Sequence, residues 1–249
     1  MKNESDGKPR LPAASTTLVL LSYNERDALV QLLPMLPRQL FECVVAIDPG
    51  STDGTLDVYA AHGIEVVRQP QRGRGNAFRL AAGIVETQRV IFLSTDGNED
   101  PRDLSRIVEF LDQGYDLVIG GRFLLRDAQS DDSDDPLRIR KWGNIACSGL
   151  VRLLWRSGVW DAINGYRAFQ VDSLRRLRLD APLHEVELQS TIRAAKLGMR
   201  IKEFATRELP RLGGERKETA ATWTLVRRLS WFLLRELVLG RRPWIEVAG

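Results

Sequence analysis

From Thr16 to Gly120, short apolar runs alternate with amphipathic stretches, and this alternation restricts the fold more than any other feature of the sequence. It is the signature of βα units feeding a parallel sheet. Strands are expected at 17–21, 43–47, 64–67, 90–93 and 116–119, with helices between them at 26–38, 55–62, 76–87 and 101–113. In an open sheet of this kind, ligands bind outside the carboxyl ends of the strands.

Past Gly121 the pattern changes. Asp127, Asp131, Asp132, Asp134 and Asp135 crowd the segment 126–136, which reads as an acidic loop, either a lid over the site or a solvated connection. A helix is expected at 137–155, an irregular stretch at 161–169, a helix at 185–197 and a short strand at 201–204. The stretch 222–240 is apolar, but Arg227, Arg228, Arg235 and Glu236 interrupt it, so it does not suit a bilayer span. Two readings stay open: a basic helix resting among lipid headgroups, with Trp223, Trp231 and Trp244 near its ends, or a terminal helix docked on the core. The expected organisation is a flexible tail at 1–14, one large α/β domain at 15–217 and a basic amphipathic segment at 218–249.

A length of 249 residues is ample for such a domain and its core. Cys43 and Cys147 are the only cysteines and lack metal-ligand spacing, so they read as buried or incidental thiols in a reducing compartment. The polar start of the chain carries no signal-peptide core, and a cytoplasmic location is expected. The net charge of +3 hides an asymmetry: residues 1–136 carry 14 Lys/Arg against 22 Asp/Glu, whereas 137–249 carry 22 against 11. The second half should attract an anion, be it a phosphate group, an anionic membrane surface or nucleic acid. Without interleaved stacking aromatics or a reading motif, nucleic acid is set aside.

Three strand ends carry the chemistry. The first is followed by Ser22-Tyr23-Asn24-Glu25, the second by Asp48-Pro49-Gly50-Ser51-Thr52-Asp53-Gly54-Thr55, and the fourth by Ser94-Thr95-Asp96-Gly97-Asn98-Glu99-Asp100-Pro101. Asp96 and Asn98 offer hard oxygens two residues apart, suited to holding a divalent cation against a diphosphate. The same segment also makes ordinary turn chemistry, with Asp100 as a helix N-cap and Pro101 at the first helical position. Glu25 and Asp48 stand where carboxylates accept hydrogen bonds from a ribose or base edge, and each equally suits a turn or strand cap.

These segments resemble the family-2 glycosyltransferases of the GT-A fold, especially the polyprenyl-phosphate (dolichol-phosphate) mannose and glucose synthases. In that family the first strand ends P-x-Y-N-E, the second D-D-G-S-x-D-G-T and the fourth D-x-D. Here Leu21 stands at the usual proline, Pro49 replaces an acid and Ser94 replaces the first D-x-D carboxylate. The likeness runs on through Arg72 to Ala77, Gly120-Gly121-Arg122, Arg140 to Asn144, Asp161 to Phe169, Glu185 to Leu188 and Arg211 to Lys217. The last motif usually reads R-x-x-G-x-S-K, and Arg216 takes the serine's place.

The resemblance implies an open, mostly parallel Rossmann-like GT-A sheet flanked by helices, with a carboxy-terminal amphipathic helix. It implies a nucleotide-sugar site built from Tyr23, Asn24, Glu25, Asp48 and Gly75. Asp96 and Asn98 would hold Mg²⁺ or Mn²⁺, and Arg140, Arg211 and Lys217 would take phosphate. Asp96, Arg122 and Glu187 are the residues expected in the chemistry.

A sugar transfer must neutralise the leaving diphosphate and hold the acceptor oxygen in line with the anomeric carbon. An alcohol acceptor needs a general base, for which Glu187 or His184 is available, though His184 also suits a helix cap; His62 reads as a surface residue. A phosphate acceptor needs none, since its oxygen is already anionic, and instead requires cations such as Arg122, Arg140, Arg211 and Lys217. The expected function is inverting transfer of a hexose from a GDP-mannose or UDP-glucose type donor to a polyprenyl phosphate lipid at the membrane surface. The alternatives are a saccharide or small soluble acceptor, and a nucleotide-binding module without catalysis.

Overall fold

A computed structural model describes residues 15–124, 139–213 and 222–240, with 139–140 and 222–226 described by backbone alone. Seven strands form one sheet in the order β3-β2-β1-β4-β6-β5-β7. They are β1 (Thr16–Leu21), β2 (Cys43–Asp48), β3 (Glu65–Arg68), β4 (Arg89–Ser94), β5 (Leu117–Gly121), β6 (Arg167–Gln170) and β7 (Ile201–Ala205). All run parallel except β6, which is antiparallel to both β4 and β5. Strand order reverses direction between β1 and β4, so their carboxyl ends flank the crevice where open α/β sheets bind ligands.

Among the described residues eight α-helices cover the sheet: α1 (Arg26–Leu32), α2 (Thr55–Ala61), α3 (Arg74–Ile84), α4 (Leu104–Asp112), α5 (Ile139–Trp155), α6 (Val171–Arg176), α7 (Glu185–Lys196) and α8 (Thr222–Leu239). Because both faces are covered, the strands are apolar on both sides. Leu18, Leu20, Ile91 and Leu93 point into one core with Leu29, Leu32, Tyr59 and Ile107. Val19, Val90 and Phe92 point into the other with Phe78, Phe169, Val186 and Phe232. Phe78 stacks on Phe92 with centroids 3.9 Å apart, and Phe169 meets both rings edge-on.

Two expectations are corrected. The first helix stops at Leu32 instead of continuing to 38, because Pro34 offers no backbone N–H and the chain tightens into a 3₁₀ turn at Leu33–Met35. The stretch expected to be irregular at 161–169 ends in β6, whose first residue, Arg167, has 0% of its surface exposed. Its guanidinium donates to Asn164 O and Ala162 O, both at 2.6 Å, and to Ser190 and Thr191 on α7. Burial pulls its pKa down to about 10, against the pull of Glu187 and Asp161.

The carboxy-terminal helix docks on the core. Glu236 of α8 is wholly buried and receives Arg193 at 3.1 Å and Lys196 at 2.9 Å from α7. Arg228 reaches Glu185 at 2.5 Å, and Arg235 pairs with Asp180. Among the described residues no helix is long and apolar enough to cross a membrane. Both cysteines are free thiols, Cys147 buried and Cys43 exposed. The acidic segment 126–136, the tail 1–14 and Lys217 lie outside the described residues.

Candidate active site

The first two motifs hold each other. Asn24 takes a left-handed backbone (φ 51°), which an Asn side chain tolerates, and its N–H donates to Ser51 Oγ at 2.8 Å. Its side-chain oxygen receives Thr52 N–H at 2.9 Å. Glu25 N–H donates to Thr55 Oγ1, and Arg26 N–H to Asp53. Asp48 is 1% exposed, and its carboxylate accepts Gly50 N–H at 2.7 Å, Ser51 N–H at 2.6 Å and Ser51 Oγ–H at 2.6 Å. Asn24 and Asp48 therefore shape the loops; the neighbours Tyr23, Glu25, Ile47 and Pro49 face the cleft.

That cleft has a volume of about 370 Å³ and lies over the carboxyl ends of β1, β2 and β4. Ser94, Thr95 and Asp96 form one wall, Arg72, Gly73 and Arg74 another, with Leu183 and His184 at the start of α7. Arg72 stacks on the Tyr23 ring, its guanidinium carbon 3.8 Å from the centroid. His184 occupies the N-cap position of α7 but its side chain makes no cap hydrogen bond. His62, as expected, is exposed at the end of α2.

The β4 loop is partly a turn and partly a ligand set. Asp100 caps the following 3₁₀ turn by accepting Arg102 N–H at 3.0 Å, with Pro101 at its start, as the sequence suggests. The Arg102 guanidinium, ahead of burial, holds the Asp100 pKa below its ordinary value. Asp96 Oδ1 accepts Asn98 N–H at 3.2 Å, while Asn98 Oδ1 is buried without a hydrogen-bond partner. Among the described residues no three His, Cys, Asp or Glu side chains are grouped to hold a metal. Two hard oxygens, one an orphan, still fit Mg²⁺ or Mn²⁺ bound by a carboxylate and completed by phosphate oxygens of a donor.

Glu25 and Asp96 are joined by a residue from the other end of the chain. Arg211 donates from Nη2 to both oxygens of Glu25, at 2.8 and 2.9 Å, and from Nη1 to Asp96 Oδ2 at 3.0 Å. Part of the positive excess of residues 137–249 is thus spent on carboxylates of the first half.

Arg122 and Glu187 sit differently from expectation. The Arg122 guanidinium is bound to buried Asp161 at 2.8 and 3.2 Å and to Glu208 at 3.2 Å. Burial opposes its charge, but those two carboxylates outweigh burial and raise its pKa. A phosphate would have to compete with both. Glu187 is 2% exposed, is not among the cleft-lining residues, and lies 2.7 Å from Arg74 Nε. Gly75 serves packing: a Cβ there would stand 1.8 Å from Ala181 O, so only glycine lets the start of α3 approach that loop. Arg140 lies in the first turn of α5.

Two residues escaped the sequence reading. Arg74 donates to Ser94 Oγ and to Gly165 O, each at 2.7 Å, which makes it the junction between the β4 loop, the β6 entry and α7. The only signal was its place in Arg72-Gly73-Arg74-Gly75. Glu99 is largely buried, its side chain 10% exposed, and its Oε2 accepts Ser94 N–H at 2.6 Å. Burial pushes its pKa up to about 7, with Arg74 pulling the other way.

Comparisons agree with this geometry. The profile described as Glycosyl transferase family 2 matches residues 17–178. Glycosyltransferase AglJ of Haloferax volcanii is 28% identical over 207 residues, 82% of this chain and 66% of that protein. The chain thus spans slightly less than two thirds of that relative's length. Polyprenol monophosphomannose synthase of Mycolicibacterium smegmatis is 26% identical over 220 residues, covering 80% of each chain. Glucosyl-3-phosphoglycerate synthase of Mycobacterium tuberculosis, solved with Mn²⁺, UDP and glucosyl-3-phosphoglycerate, superposes with a TM-score of 0.69 over 94% of this chain and 87% of that one, at 19% identity. That likeness shows the fold.

Proposed function

The chain belongs to glycosyl transferase family 2, and from that premise we propose that it moves a hexose, with inversion, from a nucleotide sugar to a polyprenyl phosphate. The observation that carries the donor half is the shared cleft: Glu25 and Asp96 from two strand ends line it with Arg72 and Arg74, and Arg211 binds both carboxylates. Tyr23 and Arg72 border the nucleoside end. Asp96 and Asn98 are the residues that would hold the divalent cation, which supplies positive charge to the departing diphosphate. Arg74 adds a donor whose orientation is set before the sugar nucleotide arrives, by its bonds to Ser94 and Gly165, and Arg211 adds a second cation beside it.

The acceptor half rests on what surrounds the cleft. Among the described residues, Glu25 and Asp96, the carboxylates that line the cleft, are bound to Arg211, and Glu187 is ion-paired with Arg74, so each would have to leave a cation to serve as a base. A phosphate monoester acceptor removes that requirement, because its attacking oxygen is already anionic near neutral pH. The lipid part of the reading draws support from the M. smegmatis relative and from two helices. On α8, Trp231, Leu234, Leu237 and Val238 are exposed. On α5, exposed Trp142, Leu150, Leu153 and Leu154 recur at helical spacing, with Arg152 stacked 3.6 Å over exposed Trp160 nearby. Apolar stripes with Trp and Arg at their borders suit the headgroup region of an anionic bilayer. In this reading residues 15–217 form the catalytic domain, 218–249 help to seat it, and the location is the cytoplasmic face of a membrane.

A second reading, transfer to a soluble hydroxy compound, draws support from His184, which lines the cleft without a capping bond and would serve as the base. A radiolabelled-donor panel separates the two. Label should move from UDP-hexose or GDP-hexose into the lipid phase with polyprenyl phosphate; product with soluble acceptors alone would overturn the lipid assignment.

A further inference from the structure

We propose that Arg211 occupies the charge position of the divalent cation and yields it only when a diphosphate offers its guanidinium another partner, so that cation and nucleotide bind as a coupled pair. The inference rests on the nucleotide-sugar reading of the cleft.

Arg211 is seated by the backbone. Leu212 N–H donates to Asp96 O at 3.0 Å and Leu209 N–H to Asn98 O at 2.8 Å, and the backbones of Glu99 and Glu208 pair in an isolated antiparallel β-bridge. The segment carrying Arg211 is therefore laid along the loop that carries Asp96 and Asn98. Gly97 makes this approach possible, since a Cβ there would stand 2.4 Å from Leu212 Cγ. From that seat the guanidinium spans Glu25 and Asp96 with three hydrogen bonds to carboxylate oxygens.

A guanidinium cannot shed its proton to make room for a metal. A dication arriving at Asp96 and Asn98 meets a fixed positive charge already bonded to Asp96, and its hold is weakened accordingly. A diphosphate provides oxygens that a guanidinium grips as well as it grips a carboxylate. Drawing Arg211 toward phosphate releases Asp96 to the cation, and the cation in turn strengthens phosphate binding. By linkage each ligand must tighten the other by the same factor.

The test measures Mn²⁺ uptake by the full chain from the electron paramagnetic resonance signal of free Mn²⁺, alone and with saturating UDP or GDP. The wild-type protein should bind Mn²⁺ weakly alone and at least tenfold more tightly with the effective nucleotide. Arg211→Gln should bind Mn²⁺ alone at least tenfold more tightly than wild type, and its nucleotide coupling should shrink. Unchanged or weaker Mn²⁺ binding by a folded Arg211→Gln overturns the inference while leaving the donor reading intact if nucleotide still binds. Should that variant fail to fold, the wild-type coupling decides: independent binding of Mn²⁺ and nucleotide refutes the inference. Uptake of neither ligand by the wild type refutes both the inference and the donor reading.

Discussion

Replacing Arg74 with alanine tests the junction on which the cleft's shape depends. The change removes hydrogen bonds to Ser94 Oγ and Gly165 O and the 2.7 Å ion pair with Glu187. The Glu187 side chain is 3% exposed and its second oxygen already lacks a hydrogen-bond partner, so the abandoned carboxylate has no water to turn to. Breaking a buried ion pair from one side costs about 3–5 kcal/mol. For a domain of this size that corresponds to a fall in melting temperature of roughly 10 °C. Glu187→Gln alone should cost less, because it strands no buried carboxylate and Arg74 keeps its hydrogen bonds to Ser94 Oγ and Gly165 O. In the double variant Arg74→Ala/Glu187→Gln the stranded charge is gone, and part of the loss should return as a coupling energy of about 1–3 kcal/mol. Urea unfolding followed by circular dichroism, with all four proteins in one buffer, measures the cycle. A loss under about 1 kcal/mol for Arg74→Ala, or strictly additive losses, would refute the reasoning.

Other predictions follow from single positions. Gly97→Ala has to place a Cβ 2.4 Å from Leu212 at a φ of +85°, and should cost at least about 1–2 kcal/mol in urea unfolding and weaken nucleotide binding; an unchanged protein would contradict the loop pairing. Asp180 ties the 180–181 loop to α7 and α8: burial alone would raise its pKa, but hydrogen bonds from Arg235 and Gln189 and the charge of Arg193 outweigh it and lower the pKa below the ordinary 3.8. Its folded-state pKa is depressed, so its stabilisation is present above about pH 4 and is lost as pH falls through the folded value. Asp180→Asn should remove that part of the acid dependence in unfolding curves taken from pH 6 to 3. Leu153→Asp with Val238→Asp changes two side chains that are 76% and 77% exposed, so folding should hold within about 0.5 kcal/mol. Co-sedimentation with vesicles rich in anionic lipid should fall at least fivefold, and unaltered binding would count against the membrane-facing helices.

The parallel core was readable because alternation across two covered faces leaves strands such as Val90-Ile91-Phe92-Leu93 apolar throughout. β6 was not, because its opening Arg167 looks like a loop residue until Asn164 O, Ala162 O, Ser190 and Thr191 are seen to absorb its donors. The motif residues Tyr23, Glu25 and Asp96 line one cleft, but the contacts that each motif makes are not written in its own few residues. Asn24 and Asp48 proved to hold the loops together, as local turn residues also do in noncatalytic proteins. Local sequence does not show what Arg122 is paired with, because its partners, Asp161 and Glu208, lie 39 and 86 residues further along the chain. The same distance hid Arg211's bonds to Glu25 and Asp96, 186 and 115 residues away. Strand alternation is a local signal, whereas charge pairing across the sheet edge is not.

The most direct test of the donor site is calorimetric titration of UDP and GDP, each with Mn²⁺, into the wild-type chain and Asp96→Asn. One nucleotide should bind to the wild type, with affinity at least tenfold lower in the variant because the cation that would tie the diphosphate to Asp96 has lost its anionic ligand. Equal affinities in the two proteins would place the nucleotide elsewhere and contradict the account.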